Sequence, residues 1–213
     1  MRTPATAVKQ YLGLLLDEFC GPLSLDQKNF VQIAYNSNER ELVTINELLK
    51  TAQIDSLEYT VTTSAYDITT VVKKSIDNTK YAFSVKNQTV QFIKPDKPAI
   101  LKLDEPEMLL VFINLLENAS KYSYEDSQIT VRIVNKSKYI EVSIKDTGVG
   151  ISKENQIRIF EKFTRVDNEL SDTVGGTGLG LYWVQQIVQK HKGTVKLESE
   201  HGKGSTFFVR LPK

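Results

Sequence analysis

The chain has 213 residues, 40% hydrophobic and 25% charged, and a net charge of +1. This composition fits a soluble globular chain with one domain of about 150 residues and a smaller element. The near-neutral charge gives no electrostatic case for nucleic acid or an acidic membrane surface. The single cysteine, Cys20, excludes an internal disulfide framework and fits a reducing compartment. No apolar run is long enough for a transmembrane helix, and the N-terminus lacks the apolar core of a signal peptide.

Met1 to about Gln53 reads as helix with one break. The first apolar stripe runs Val8, Tyr11, Leu12, Leu15, Leu16 and Phe19, and Gly21-Pro22 ends it. Ser24 can cap a second helix with Gln27 as capping-box partner, and Phe30, Ile33, Ala34, Ser37, Leu42, Ile45, Leu48 and Leu49 form its stripe. Residues 1–54 are therefore expected as an antiparallel helical hairpin. So small a hairpin buries little surface alone. It pairs with a second copy into a four-helix bundle or packs on the rest of the chain.

Residues 55–65 read as a linker and 66–213 as a second domain. Tyr66 to Val85 is expected to be helical. Thr89–Ile93 and Ile100–Leu103 follow as strands, with a turn at Pro95 and Pro98 between them. A helix capped by Asp104 comes next, and then a hairpin of strands at Gln128–Val134 and Tyr139–Lys145. Ser152 to Asp172 is polar around a short apolar core of Ile157, Ile159, Phe160 and Phe163. Leu179 to His191 is a helix with Trp183, Val184, Ile187 and Val188 inward, and Thr194–Ser199 with Ser205–Leu211 closes the chain as a hairpin. The fold class is α+β: a helical hairpin, then a two-layer α/β sandwich with one mixed sheet and helices on one face.

Three stretches carry chemistry. On the Asp104 helix, Asn114, Asn118, Lys121 and Tyr122 share a face. They offer amide oxygens suited to Mg2+, an ammonium suited to phosphate and a ring that stacks on a base. Taken alone, that face also suits a polar outer surface. Asp146-Thr147-Gly148-Val149-Gly150-Ile151 follows a strand, and its two glycines allow a sharp turn and close approach of a ligand. Gly175-Gly176-Thr177-Gly178-Leu179-Gly180 opens a helix, where backbone N–H groups favour phosphate. Neither loop is a Walker or dinucleotide-binding signature, and Gly202-Lys203-Gly204-Ser205 reads as a structural hairpin turn.

Asn114-x-x-x-Asn118-Ala119-x-Lys121-Tyr122, Asp146-x-Gly148-x-Gly150, Phe160-x-x-Phe163 and Gly176-Thr177-Gly178-Leu179-Gly180-Leu181 occur in this order. Together they resemble the N, G1, F and G2 boxes of sensor histidine kinases, relatives of gyrase B, a heat-shock chaperone and mismatch-repair ATPases. The resemblance implies ATP and Mg2+ as ligands. Asn118 would hold Mg2+, with Asn114 beside it as a possible second ligand. Lys121 and Arg165 would contact phosphates, and Tyr122 would stack on adenine. Asp146 would accept from the adenine amino group, with a water shared with Thr206. Gly148 and Gly150, followed by Ile151, would let the base approach. Ser152 to Gly175 would form a lid, and Gly176, Thr177, Gly178, Leu179 and Gly180 its hinge and phosphate-facing end. Hydrolysing relatives place a glutamate where this chain has Asn114. An amide is no general base, so weak hydrolysis is expected.

Met1-Arg2-Thr3-Pro4 resembles the end of the family's His-Glu-Leu-Arg-Thr-Pro motif. The phospho-accepting histidine would stand two positions before Met1, so the sequence is expected to be clipped just after its acceptor and unable to phosphorylate itself. The resemblance implies that Thr3 would assist dephosphorylation of the response regulator. His191 and His201, the only histidines, read as structural or solvated. The resemblance also implies a homodimer through the N-terminal helices, a response-regulator receiver domain as partner, and no direct membrane contact from this segment. The implied location is cytoplasmic, including as the cytoplasmic part of a membrane-bound sensor. Two other functions stay open: an ATP-binding dimerisation module that regulates without transfer, and an anti-sigma-type serine kinase, against which the hairpin and Asn114 both speak.

Overall fold

The computed structural model describes residues 2–56, 58–166 and 175–213, without the side chains of Arg2 and Thr3. The chain divides into two compact units, Met1–Ser56 and Leu57–Lys213.

The first unit is a hairpin of α1 (Arg2–Leu16) and α2 (Leu25–Asp55). α1 stops earlier than the Gly21-Pro22 signal suggests. Glu18 N donates to Leu15 O (3.0 Å) and Phe19 N to Leu14 O (3.0 Å), with Glu18 left-handed at φ 57°. This is a Schellman ending, and it satisfies the last carbonyls without glycine. Phe19 therefore lies outside the helix and is exposed. Ser24 and Gln27 form a reciprocal capping box at the start of α2. Much of the apolar stripe stays uncovered within the unit: Tyr11 is 70% exposed and Phe30 71%, and Val8, Ile33 and Leu49 are also exposed.

In the second unit α3 (Ile68–Val85), α4 (Glu105–Lys121) and α6 (Gly180–Lys190) form the helical layer. The five-stranded sheet has the order β2 (Thr89–Ile93), β4 (Gln128–Asn135), β5 (Tyr139–Lys145), β7 (Gly204–Pro212), β6 (Thr194–Glu200). β2 and β4 are parallel and the other pairs antiparallel, so the sheet is mixed. Ile129, Val131 and Ile133 on β4, and Ile140, Val142 and Ile144 on β5, are buried at alternate positions, as one covered face requires. Met108, Phe112, Leu115 and Leu116 of α4 and Val184, Ile187 and Val188 of α6 complete the core, while Trp183 is half-buried. The fold is α+β, a helical hairpin and a two-layer α/β sandwich.

Three local expectations change. Tyr66 and Asp67 belong to a strand, β1 (Ser64–Asp67), and α3 begins at Ile68 because the Asp67 side chain caps it through Thr69 N (2.9 Å). Ile100–Leu103, β3, leaves the main sheet and pairs antiparallel with β1 in a second, two-stranded sheet. Ile159 is buried, but Ile157 is 81% and Phe163 63% exposed, so neither joins an apolar core. A short helix, α5 (Lys153–Gln156), precedes them, and a left-handed turn at Phe163 (φ 63°) carries that ring outward. Phe160 meets Phe207 edge to face at 6.5 Å.

Candidate functional site

α4 carries the first part of the site. Asp104 caps it through Glu107 N (3.3 Å), Glu105 and Glu107 stand in its first turn and Lys121 in its last, all suited to the helix dipole. Burial of Met108, Val111, Phe112, Leu115, Leu116 and Ala119 fixes the roll of the helix. Asn114 and Asn118 are left half-buried, and Asn118 Nδ2 donates to Asn114 Oδ1 (3.2 Å). That bond engages the donor end of the Asn118 amide and presents its oxygen elsewhere. Lys121 is exposed, and Tyr122 is the half-buried C-cap. Burial raises the Tyr122 hydroxyl above its usual pKa, and the Arg165 guanidinium opposes the shift, so the charge of Arg165 acts at this end of α4.

The first glycine loop lies against that end. Val149 N donates to Tyr122 O (3.1 Å), and a Cβ on Gly148 would stand 1.9 Å from the same oxygen. Asp146 is 4% exposed, and its Oδ1 accepts from Gly148 N (3.0 Å) and Ser205 N (3.1 Å). Burial pushes the carboxyl up to about 6, against the pull of these N–H groups. Gly150, at φ 66°, packs on Glu200 O, and Ile151 N donates to Ser199 Oγ (2.8 Å). Thr206 pairs with Lys145 across β5 and β7, one residue beyond the Ser205 that bonds Asp146.

The second glycine loop meets α4 through Gly180, where a Cβ would stand 2.4 Å from Asn114 Nδ2. Gly178 is at φ 73° against the backbone of Phe163, Thr177 Oγ1 accepts from Leu179 N (3.3 Å), and Leu179 is buried. Gly176 has nothing within 4 Å of the place a Cβ would take. The structure thus brings Asn114, Asn118 and Tyr122 together with Gly148 and Gly180. The side chain of Thr3, and residues 167–174 of the expected lid, lie outside the described residues.

Gly204, expected as part of a structural hairpin turn, has that role in support of the Asp146 loop: a Cβ there would stand 2.3 Å from Asp146 O. Its signal was its place one residue before Ser205, on a strand bordering the one that ends at Lys145. His191 is buried, with Nδ1 donating to Ile187 O (2.8 Å) and Nε2 accepting from Asp104 N (2.9 Å), and His201 is exposed.

Among the described residues no group of three or more His, Cys, Asp or Glu side chains could hold a metal. Asn118 offers a single hard oxygen. Mg2+ keeps several waters and takes substrate phosphates as ligands, so this donor set fits a cation that arrives with a nucleotide.

The family described as Histidine kinase-, DNA gyrase B-, and HSP90-like ATPase matches residues 103–213, more than half of the chain. The chain belongs to this ATPase family. Its relatives include histidine kinases. The sensor histidine kinase WalK of Bacillus subtilis (strain 168) is 32% identical over 216 residues, which cover 100% of this chain and 35% of WalK. The circadian input-output histidine kinase CikA of Synechococcus elongatus is 27% identical over 215 residues, covering 100% of this chain and 28% of CikA. The chain thus spans about a third of the length of these curated relatives. In fold, it superposes on full-length ShkA, crystallised with AMPPNP, with a TM-score of 0.83 at 22% identity, over 99% of this chain and 43% of ShkA. The histidine kinase AdeS of Acinetobacter baumannii gives 0.70 at 20% identity, over 99% of this chain and 95% of that one. Among the described residues no helix is long and apolar enough to cross a membrane.

Proposed function

We propose that this ATPase-family chain is a protein histidine kinase core: residues 66–213 bind Mg-ATP and donate its γ-phosphoryl group to a histidine outside this sequence, in a pathway that ends on a response-regulator aspartate. The observation that carries the reading is the Asn114–Asn118 pair on α4, bonded to each other and closed over by Gly180. With the Asn118 donor engaged, its oxygen would be the ligand that holds Mg2+. Bound there, Mg2+ would neutralise phosphate charge and hold the phosphates for in-line transfer. Lys121 and Arg165 bind the phosphates as cations, and the Gly176–Gly180 stretch faces them with backbone N–H groups. Tyr122 stacks on the base. Asp146 accepts from the adenine amine through the oxygen that Gly148 N and Ser205 N do not use, with Thr206 next to it. Gly148, Gly150 and Ile151 let the base approach.

Asn114 stands where a water-activating carboxylate would be needed, and an amide accepts no proton at neutral pH. Transfer to a protein acceptor is thereby favoured over transfer to water. The exposed stripe of α1 and α2 supports dimerisation of residues 1–54 through the hairpin, with Thr3 serving dephosphorylation of a receiver domain and 55–65 as the connection between the two parts.

The test is incubation with γ-labelled ATP, alone and with a partner protomer carrying the acceptor histidine. Acid-labile label on the partner, removed by Asn118→Ala on this chain, is the expected result. Stable acid-labile label on this chain alone would overturn the missing-acceptor reading. A partner whose own rate changes without drawing phosphoryl groups from this chain would make it a regulatory module instead.

A further inference from the structure

The turn between α3 and β2, Lys86-Asn87-Gln88, grips the far end of α4. The Lys86 ammonium has three donors, and three backbone carbonyls take them: Ser120 O (3.1 Å), Lys121 O (2.8 Å) and Ser123 O (3.0 Å). The last carbonyls of a helix lack intrahelical partners and carry the negative end of its dipole, so a cation there is well matched. Gln88, buried, adds bonds from Nε2 to Ser120 O (3.1 Å) and Tyr124 O (3.0 Å), and its Oε1 accepts from Ser120 Oγ (2.7 Å). Asp126 N closes the clasp on Lys86 O (3.0 Å).

The carbonyls of residues 120, 121, 123 and 124 are therefore all held from the side of this turn. The carbonyl between them, that of Tyr122, serves the glycine loop, accepting from Val149 N and abutting Gly148. A helix end fixed on one side by three charge-assisted bonds has little freedom to shift on the other.

We propose that Lys86 is a positioning residue of the nucleotide site: by clasping the end of α4 it sets where Lys121 and Tyr122 stand relative to the Asp146–Gly150 loop. The role rests on the reading of that site as the Mg-ATP site. Lys86 itself touches no proposed ligand and acts only through the backbone that carries Lys121 and Tyr122. Burial draws its ammonium below the usual lysine pKa, with Glu125 opposing, which fits a group held for its bonds rather than left in solvent.

A lysine that merely stabilised the fold would change unfolding and leave affinity alone, so the test is a double-mutant cycle on Mg-ATP affinity in the full chain. Lys86→Met, which keeps the stem and loses the donors, is expected to weaken binding by about fivefold to tenfold, on the order of 1 kcal/mol. Lys121→Met is expected to weaken it by a similar factor, and the double variant to lose clearly less than the product of the two. Lys86→Gln, which retains donors without the charge, gives the same readout if Lys86→Met does not fold. Parent-like affinity in a folded Lys86 variant, or losses that simply multiply, would overturn the role of Lys86. A parent chain that binds no Mg-ATP would overturn the nucleotide reading itself, and this inference with it.

Discussion

Gly180 opens α6 directly against the carboxamide of Asn114 on α4: a Cβ there would stand 2.4 Å from Nδ2 and 3.0 Å from Oδ1. The atoms in the way are the tip of a flexible side chain, so the fold can yield. The shift falls on the same Asn114 carboxamide that accepts from Asn118 Nδ2 (3.2 Å). Gly180→Ala is expected to leave thermal stability unchanged or raise it, since alanine is favoured over glycine in a helix by up to about 1 kcal/mol. Mg-ATP affinity is expected to fall by about tenfold, a loss near 1.4 kcal/mol. Calorimetric titration beside a melting curve separates the two effects, and unchanged affinity would show that the contact does not serve the site.

Gly148 and Gly176 come from stretches that look equally glycine-dependent in sequence, yet the structure treats them differently. A Cβ on Gly148 would meet backbone, Tyr122 O at 1.9 Å and Ser123 Cα at 2.9 Å, and backbone at the end of α4 has nowhere to go. Gly148→Ala is expected to destabilise the second unit by about 3 kcal/mol or more, as severe overpacking does. Gly176 meets nothing within 4 Å, so Gly176→Ala is expected to stay within about 0.5 kcal/mol of the parent. Urea unfolding of both variants checks the contrast, and equal losses would sink it.

The elements that could be read from sequence were those whose signal is local. The Asp104 cap, the β4–β5 hairpin and the closing hairpin follow from capping chemistry and alternation, and so do the Ser24 capping box and the buried Ile187 and Val188. What was missed depends on pairing across the chain. Tyr66 is expected to open the helix that runs to Val85, but Ser64–Asp67 finds Ile100–Leu103 and becomes a strand. Phe163 reads as core by its residue type, while its left-handed backbone turns it to solvent. For the site, the residues of each box are neighbours in sequence, but the distances between boxes are not written there. That Gly148 abuts Tyr122 O, that Gly180 abuts Asn114, and that Lys86 grips the carbonyls of Ser120, Lys121 and Ser123 could not be anticipated from the order of residues. Gly202-Lys203-Gly204-Ser205, read only as a turn, also supplies the Ser205 N–H that bonds Asp146.

His191 ties the C-terminal end of α6 to the N-terminal end of α4, about 25 Å along that helix from Lys121. Its neighbours fix its tautomer: Ile187 O can only accept and Asp104 N can only donate, so Nδ1 carries the hydrogen. Thr62 N donates to the Asp104 carboxylate (2.8 Å) and Lys190 Nζ to Tyr59 O (2.9 Å), so the same corner also fastens residues 59–62. His191→Ala leaves the Asp104 N–H and the Ile187 carbonyl without these partners. It is expected to cost about 1–3 kcal/mol of stability and to leave Mg-ATP affinity within about twofold of the parent. Chemical unfolding and titration check both halves, and a large affinity loss with normal stability would contradict a purely structural histidine.

Asp146 sets stability against binding. Burial pushes its carboxyl up to about 6 in the folded chain, from the 3.8 of an ordinary aspartate, which stands for the unfolded chain. Between those values the folded state binds more protons than the unfolded one, so the contribution of Asp146 to stability falls as pH rises from about 4 to 6 and stays low above that. The penalty is on the order of 3 kcal/mol at neutral pH. Asp146→Asn keeps an oxygen for Gly148 N and Ser205 N and removes the buried charge. It is expected to melt higher than the parent at pH 7.5 and to lose that advantage as pH falls toward 4. The same change puts an NH2 where the proposed adenine amine seeks an acceptor, so nucleotide affinity is expected to drop by at least about tenfold while stability rises. In the parent, affinity for adenosine, which has no phosphate to titrate, is expected to rise with pH through about 6 as the carboxylate forms. Melting curves and adenosine titrations from about pH 4 to 8 decide the matter: a variant that binds adenosine as well as the parent would remove Asp146 from base recognition.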